Sequence, residues 1–197
     1  MIGKIITQVK KEMTGRLAYE QRNIDYLLEA VHSAGDGDYL EIGVMHGGSI
    51  CAVAMLKQAL GHKSKCVGID PLTGYYRDRR NAPDDMDIKV PVPISLETVM
   101  GNVNCFGLDN IEIVTKKSYP LPVGGEFAAC YIDGDHWGDG PLHDWQSVKD
   151  MVTGYVVFDN DEPTFPDVTR ACDVAIADPE WTLHLRAGVT CIVRRIA

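Results

Sequence analysis

Two groups of polar side chains follow apolar runs that have the length of buried strands. The first group, after residues 127–132, is Asp133, Gly134, Asp135 and His136, and the second, after residues 155–158, begins with Asp159 and Asn160. Ligands of open α/β sheets bind outside the carboxyl ends of the strands, so we expect the two groups to face a single site. Carboxylate and amide oxygens are ligands that Mg²⁺ accepts. The pattern therefore predicts a divalent metal beside a nucleotide-like cofactor.

The acidic residues of these groups differ in how strongly they indicate a site. Asp133 and Asp159 would repel each other at adjacent strand ends, which a structural role explains poorly, so a functional role is favoured. Asp135 and His136 have two interpretations, because either could act as a general base or cap the following helix. We interpret Asp161 as a solvated loop acid.

The turn after the first predicted strand, residues 38–43, distinguishes between cofactors. A dinucleotide-binding turn needs Gly-x-Gly-x-x-Gly, but Met45 occupies the position of the second glycine. A P-loop would need a lysine, which is missing after Gly48. Asp70 ends the second strand and could accept both hydroxyls of a ribose. A cofactor with a nucleoside and an amino-acid tail, without phosphates, therefore fits better than NAD.

The rest of the chain predicts a sheet that would bring these residues together. Five strand–helix steps are followed by a terminal hairpin. We predict a single α/β domain over residues 1–197, with a Rossmann-like doubly wound sheet that is mostly parallel, has an antiparallel C-terminal hairpin strand and follows the order 3-2-1-4-5-7-6. Residues 1–36 are predicted as N-terminal helices that break near Gly15, and residues 71–93 as a proline-containing, lid-like insertion.

The composition limits the partners and the compartment of the protein. Its 28 acidic and 19 basic residues give a formal net charge of −9, which argues against broad binding to nucleic acid. No apolar run approaches the length of a membrane span, and the N-terminus is a poor secretory signal. The six cysteines are scattered, which favours buried thiols in a reducing compartment. We therefore expect a cytoplasmic protein that binds neither nucleic acid nor membrane.

Four segments together resemble the class I S-adenosylmethionine-dependent methyltransferases. They are Glu41-Ile42-Gly43-Val44 with Gly47-Gly48-Ser49, Gly68-Ile69-Asp70, Ile132-Asp133-Gly134-Asp135-His136, and Val156-Val157-Phe158-Asp159-Asn160. The resemblance spans about residues 38–160 and is closest to the metal-dependent small-molecule O-methyltransferases of the macrocin and mycinamicin sugar type. Catechol O-methyltransferases are more distant relatives in this comparison.

The resemblance assigns seven residues to the cofactor: Glu41, Gly43, His46, Ser49, Asp70, Ser118 and Asp133. It implies that Glu41 and Gly43 line the methionine end of S-adenosylmethionine, with His46 and Ser49 near its carboxylate. Asp70 would bind the ribose hydroxyls, and Ser118 would lie near the adenine. The string Lys116-Lys117-Ser118 departs from the Gly-Asp-Ser that is frequent in relatives, which bears on the adenine contacts.

The resemblance also implies the metal ligands and the base. Asp133, Asp159 and Asn160 would hold Mg²⁺, although relatives often have two acids where this chain has Asp159-Asn160. Asp135 or His136 would be the base that removes the proton of the substrate hydroxyl.

The expected function is an S-adenosylmethionine- and Mg²⁺-dependent O-methyltransferase. Its substrate would be a small polyhydroxylated molecule, either a sugar of a natural product or a catechol-like ring. The alternative is a metal-dependent hydrolase or phosphotransfer enzyme that uses the carboxylates of Asp133 and Asp159. A non-catalytic protein on the same fold is a third, weaker interpretation. The N-terminal helices are candidates for a contact between copies in a homo-oligomer.

Overall fold

A central sheet flanked by helices forms the part of the protein that the computed structural model describes, residues 1–73 and 92–196. The strands are β1 (Tyr39–Ile42), β2 (Cys66–Ile69), β3 (Ile111–Val114), β4 (Phe127–Ile132), β5 (Val152–Phe158), β6 (Trp181–Ala187) and β7 (Thr190–Arg195). The helices are α1 (Ile2–Glu12), α2 (Asn23–Ala34), α3 (Gly48–Ala59), α4 (Leu96–Cys105), α5 (Gly140–Val148) and α6 (Pro166–Ala177).

The strand order is β3-β2-β1-β4-β5-β7-β6, which confirms the predicted fold class. The strands from β1 to β5 pair in parallel, whereas β7 runs antiparallel to both β5 and β6. The carboxyl ends of β1, β2, β4 and β5 therefore lie at one edge of the sheet. Most of the predicted lid, residues 74–91, lies outside the described residues.

Alternation along the central strands separates two hydrophobic cores, one on each face of the sheet. Tyr39 and Tyr131 belong to the core that contains buried side chains of α1, α2, α3 and α4. Leu40 and Cys130 belong to the core that contains buried side chains of α5 and α6. Since both faces are covered, β1 and β4 are almost wholly buried, and β4 has the continuous apolar sequence that such a position favours.

Residues 13–22, which we call the strap, connect α1 to α2 across the start of α3, so the predicted break near Gly15 is confirmed. Gly15 has a φ of +96°, and a Cβ there would lie 2.5 Å from the ring of His46. Leu17 packs closely against Gly48, because a Cβ on Gly48 would lie 2.9 Å from the Cδ1 atom of Leu17. The strap therefore lies directly on the turn that follows β1.

The C-terminal hairpin is fixed to the loop after β5 by an ion pair. Both carboxylate oxygens of Asp161 accept hydrogen bonds from Arg186 of β6, at 2.6 and 2.9 Å. Thr169 donates a further hydrogen bond to Asp161 at 3.0 Å. The interpretation of Asp161 as a solvated loop acid was wrong, because its carboxylate is buried and paired with Arg186. The sequence does not reveal this pair, since the two residues are 25 positions apart.

The cysteines are mostly buried, as the sequence predicts. All six cysteines are free thiols, and only Cys105 is exposed. No helix in the described ranges combines the length and the apolar character needed to cross a bilayer.

Candidate cofactor and metal site

Parallel pairing places the ends of β1, β4 and β5 side by side. Ile42 is in register with Ile132, and Ile132 with Phe158, so Gly43, Asp133 and Asp159 follow at equivalent positions. Hydrogen bonds continue the pairing, since the Asp133 amide donates to Ile42 at 2.8 Å and the Asp159 amide donates to Ile132 at 3.1 Å. The two acids that the sequence singles out are therefore neighbours in space.

Asp159 is the more buried of the two acids, with only 3% of its surface exposed. Its carboxylate accepts hydrogen bonds from the Asn23 amide, at 3.1 and 3.3 Å, and from the Tyr131 phenol. Burial raises the pKa of Asp159 and the charge of Asp133 raises it further, although these hydrogen bonds oppose the change. Asp133 is thus close enough to disfavour the charge of Asp159.

Asp133 is partly exposed and is paired with His136. The distance from Asp133 Oδ1 to His136 Nε2 is 3.2 Å, and the imidazole packs edge-on against Phe165. Burial lowers the pKa of His136, but the hydrogen bond and charge of Asp133, with the charges of Asp159 and Asp135, outweigh burial and leave this pKa raised. His136 therefore joins the same cluster as the two acids.

Asp135 lies outside this cluster of hydrogen bonds. Its side chain is exposed, and Oδ1 accepts a hydrogen bond from the Trp137 amide at 3.1 Å. Such a bond to the second following residue is a turn that aspartate readily forms. The helix that follows is α5, whose N-cap is Asp139, so the interpretation that Asp135 or His136 caps it is wrong. His136, which belongs to the cluster of acids, is the better placed candidate base.

Gly43 has a structural requirement that does not involve a ligand. Its φ is +90°, and a Cβ at this position would lie 1.9 Å from the carbonyl oxygen of Asp133. The end of β1 therefore approaches the backbone after β4 more closely than any side chain would allow. The turn passes beside Asp133 because residue 43 is glycine.

Asp70 organises the turn after β1 from the end of β2. Its Oδ2 accepts hydrogen bonds from the amides of Val44 and Met45, at 2.7 and 2.9 Å, and its Oδ1 accepts one from Leu72 at 2.8 Å. Only 1% of the residue is exposed. The Asp70 carboxylate thus accepts hydrogen bonds from backbone amides of the protein. Its contact with ribose hydroxyls stays a prediction.

Glu41 is fully buried in β1 and is hydrogen-bonded at both carboxylate oxygens. Tyr39 donates to Oε2 and Ser49 donates to Oε1, both at 2.7 Å. Burial raises the pKa of Glu41 to about 8, although the two hydrogen bonds lower it. Glu41 and Ser49 therefore join β1 to the first turn of α3, and their contacts with a cofactor stay predictions.

We expect Glu41→Gln to flatten the dependence of stability on pH. The unfolded glutamate ionises near pH 4.5 and the folded one near 8, so the folded state retains a proton through this interval. This contribution to stability is fully present below about pH 4.5 and is lost as the pH rises through 8, by up to about 1.4 kcal/mol per pH unit. Urea denaturation of both proteins across this range measures the difference.

The matched control for this prediction is Glu112→Gln, because Glu112 is an exposed glutamate of β3. This substitution should leave the pH profile of the free energy of unfolding parallel to that of the wild type. A Glu41→Gln profile that is also parallel would contradict the raised pKa.

His46 is buried beneath the strap. Its Nδ1 accepts a hydrogen bond from the Arg16 amide at 3.3 Å, and its Nε2 lies 3.2 Å from the carbonyl oxygen of Val92. This pairing assigns the proton to Nε2, which donates to Val92. Both ring nitrogens are thus used within the protein, and the contact of His46 with a cofactor carboxylate stays a prediction.

Ser118 lies beside a buried acid that the sequence motifs do not single out. Asp144 of α5 is 2% exposed, and its Oδ2 has no hydrogen-bond donor among the described residues. Burial raises the pKa of Asp144 to about 7, while a hydrogen bond from Ser118 lowers it. Asp144 lies four residues before the buried Val148, so helical spacing places both on the same face of α5. This spacing could have predicted that Asp144 is buried.

The residues at the ends of β4 and β5 fit a divalent cation. Asp133 and Asp159 supply the hard oxygen donors that Mg²⁺ prefers, and a cation would compensate the repulsion that raises the pKa of Asp159. Asn160 follows in a left-handed conformation, with a φ of +60°. Its participation as the third ligand stays a prediction.

A second cluster of possible ligands fits a metal less well. Single atoms of Asp161, Cys172 and Cys191 lie within 4.8 Å of one another in the described part of the chain. Arg186 already neutralises Asp161, and hydrogen bonding to Cys191 together with burial raises the pKa of Cys172. A protonated thiol is a poor metal ligand, so this cluster has a structural explanation.

Solved structures with the same fold include O-methyltransferases. NovP superimposes with a TM-score of 0.67 at 19% identity, over 90% of this chain and 79% of its own. TomG from Streptomyces achromogenes, solved with S-adenosylmethionine, gives 0.62 at 16% identity, over 100% and 89%. CalS11, a TDP-rhamnose 3'-O-methyltransferase, gives 0.58 at 17% identity, over 98% and 93%. The chain has this methyltransferase fold.

The likeness is one of structure. No protein-family model matches the sequence, and neither does any curated protein. Because all three structures are less than 20% identical to this chain, they establish the fold and leave the activity to the residues of the site.

Proposed function

We propose that the protein is an S-adenosylmethionine- and Mg²⁺-dependent O-methyltransferase. Its substrate would be a hydroxyl of a small polyhydroxylated molecule, such as the sugar of a natural product or a catechol-like ring. The observation that carries the proposal is the meeting of Asp133 and Asp159 at the ends of β4 and β5, beside the glycine-containing turn after β1. The complex of TomG with S-adenosylmethionine and the sugar substrate named for CalS11 support it by analogy.

The proposed mechanism assigns binding and proton transfer to separate residues. Asp133, Asp159 and Asn160 would hold Mg²⁺, which when bound lowers the pKa of a coordinated hydroxyl and orients it. In the transfer, the substrate oxygen forms a bond to the methyl carbon, the bond from that carbon to sulfur breaks, and the hydroxyl proton passes to a base. His136 is the proposed base, and a well-placed base contributes about 10²–10⁴-fold.

The proposed cofactor residues divide into two groups by their burial. Glu41, His46 and Asp70 are each at most 1% exposed and would shape the site from beneath. Ser118 is partly exposed and would lie at the adenine end. Gly43 would present its backbone to the methionine end. The relationship to the macrocin and mycinamicin branch, the contact between copies through the N-terminal helices and the cytoplasmic location stay predictions.

We expect calorimetric titration to show binding of S-adenosylmethionine and S-adenosylhomocysteine. Methyl transfer to a panel of nucleotide sugars and catechols should require Mg²⁺ and should stop when EDTA is added, because the acids alone cannot activate the hydroxyl. Absence of cofactor binding both with and without Mg²⁺ would overturn the proposal. Metal-dependent cleavage of phosphoesters that is indifferent to S-adenosylhomocysteine would favour the hydrolase instead.

A further inference from the structure

Asn23 is buried at the start of α2, with 1% of its surface exposed, and its amide has one possible orientation. Its Oδ1 accepts hydrogen bonds from the amides of Glu20 and Ile24, both at 2.9 Å. Since these donors occupy the oxygen, the NH₂ group must point the other way, toward both carboxylate oxygens of Asp159. The same NH₂ group also donates to the carbonyl oxygen of Ala18.

We propose that Asn23 is a positioning residue for the metal site, which fixes the carboxylate of Asp159 in its ligating orientation. This inference rests on the proposed function. Hydrogen bonds to a ligating carboxylate restrict its rotation, and losing such a partner typically costs about 10–100-fold in metal affinity. Asn23 and Tyr131 hold Asp159 from the strap side and from β4, which leaves oxygen lone pairs for a cation.

The strap reaches this position at a conformational cost. Gln21 and Arg22, immediately before Asn23, have φ values of +45° and +69°, which side-chain-bearing residues adopt rarely. Two consecutive residues of this kind persist only where surrounding contacts hold them. The bonds of Asn23 supply such contacts, so the local backbone and the orientation of Asp159 depend on each other.

Asn102 of α4 provides a matched control, because it is a second buried asparagine that holds the strap. Its Oδ1 accepts a hydrogen bond from the Thr14 amide at 2.7 Å, and its Nδ2 donates to the carbonyl oxygens of Thr14 and His46, both at 2.8 Å. Its side-chain hydrogen bonds reach the strap and His46, and none goes to Asp133 or Asp159. Loss of Asn102 should therefore loosen the strap and spare the metal site.

The test is Mn²⁺ binding to the full chain, followed by electron paramagnetic resonance, for the wild type and for Asn23→Ala, Asn23→Ser and Asn102→Ala. A serine can still accept a backbone hydrogen bond at the start of α2, but its hydroxyl is too short to reach Asp159. We expect both Asn23 variants to bind Mn²⁺ about 10–100-fold more weakly and Asn102→Ala to bind within about threefold of the wild type.

Three outcomes would be decisive against the idea, and they differ in what they reject. Wild-type affinity in Asn23→Ser, with the fold verified by circular dichroism, would reject the role of Asn23 alone. Equal weakening in the Asn23 and Asn102 variants would show a general effect of the strap, and would also reject the specific role. No Mn²⁺ binding to the wild type would reject the metal part of the proposed function, and the positioning role with it.

Discussion

Gly43→Ala is expected to lower the free energy of unfolding by about 3–5 kcal/mol in the ligand-free protein. The new Cβ would lie 1.9 Å from the carbonyl oxygen and 2.5 Å from the carbonyl carbon of Asp133. Those backbone atoms cannot yield easily, because the Asp133 amide is hydrogen-bonded to Ile42 in the sheet. The φ of +90° adds backbone strain to the steric overlap. Urea denaturation monitored by circular dichroism measures the change.

Gly61→Ala separates the steric overlap from the backbone strain. Gly61 also has a positive φ, of +75°, but a Cβ there would have no atom within 4 Å. This variant should lose only about 1 kcal/mol, from conformational strain alone. Equal losses in the two variants would show that the close approach of β1 to Asp133 contributes nothing. Because both proteins are measured without cofactor, the comparison also separates packing from the ligand contact that the sequence suggests for Gly43.

The strands and helices could be predicted from the sequence because the patterns that indicate them are local. The apolar run before Asp133 predicts a strand over residues 127–132, which is the observed β4. Pro166 begins α6, where the fixed backbone of proline suits the first helical turn. Ser95, a residue type that favours helix N-termini, caps α4, and its Oγ accepts a hydrogen bond from the Thr98 amide at 3.2 Å. Each signal requires only a few neighbouring residues.

The hydrogen-bond partners and the burial of the site residues could not be predicted, because they depend on residues that are distant in the sequence. Asn23 and Asp159 are 136 residues apart, and Arg16 reaches His46 across 30 residues. Nothing near Asp159 in the sequence indicates that an asparagine of the N-terminal segment will donate to it. Burial of His46 likewise follows only once the strap is placed. Sequence patterns identify strand ends, whereas hydrogen-bond partners come from the folded arrangement.

Asp133→Asn should reduce methyl transfer by roughly 10²–10³-fold while stability without Mg²⁺ changes little. The substitution keeps the shape of the side chain and removes one of the two charges that would hold the cation. In the ligand-free protein, removing this charge relieves its repulsion with Asp159 but weakens its pair with His136, and the two effects oppose each other. Initial rates at saturating Mg²⁺, together with thermal unfolding in EDTA, measure the two effects. Separate titration with S-adenosylmethionine shows whether the loss lies in cofactor binding or in transfer.

Asp161→Asn is the matched control for Asp133→Asn, because Asp161 is another acid near the strand ends, buried two residues beyond Asp159. Its carboxylate is paired with Arg186, so its charge stabilises the hairpin, and we assign it no part in holding the cation. The variant should lose about 1–3 kcal/mol of stability, since Arg186 is partly exposed and solvent screens the pair, and should retain methyl transfer. Opposite effects in the two variants would separate the charge that serves catalysis from the charge that serves folding. Loss of activity in both, at equal protein stability, would instead mean that removing any acid near these strand ends impairs transfer and that Asp133 has no special role.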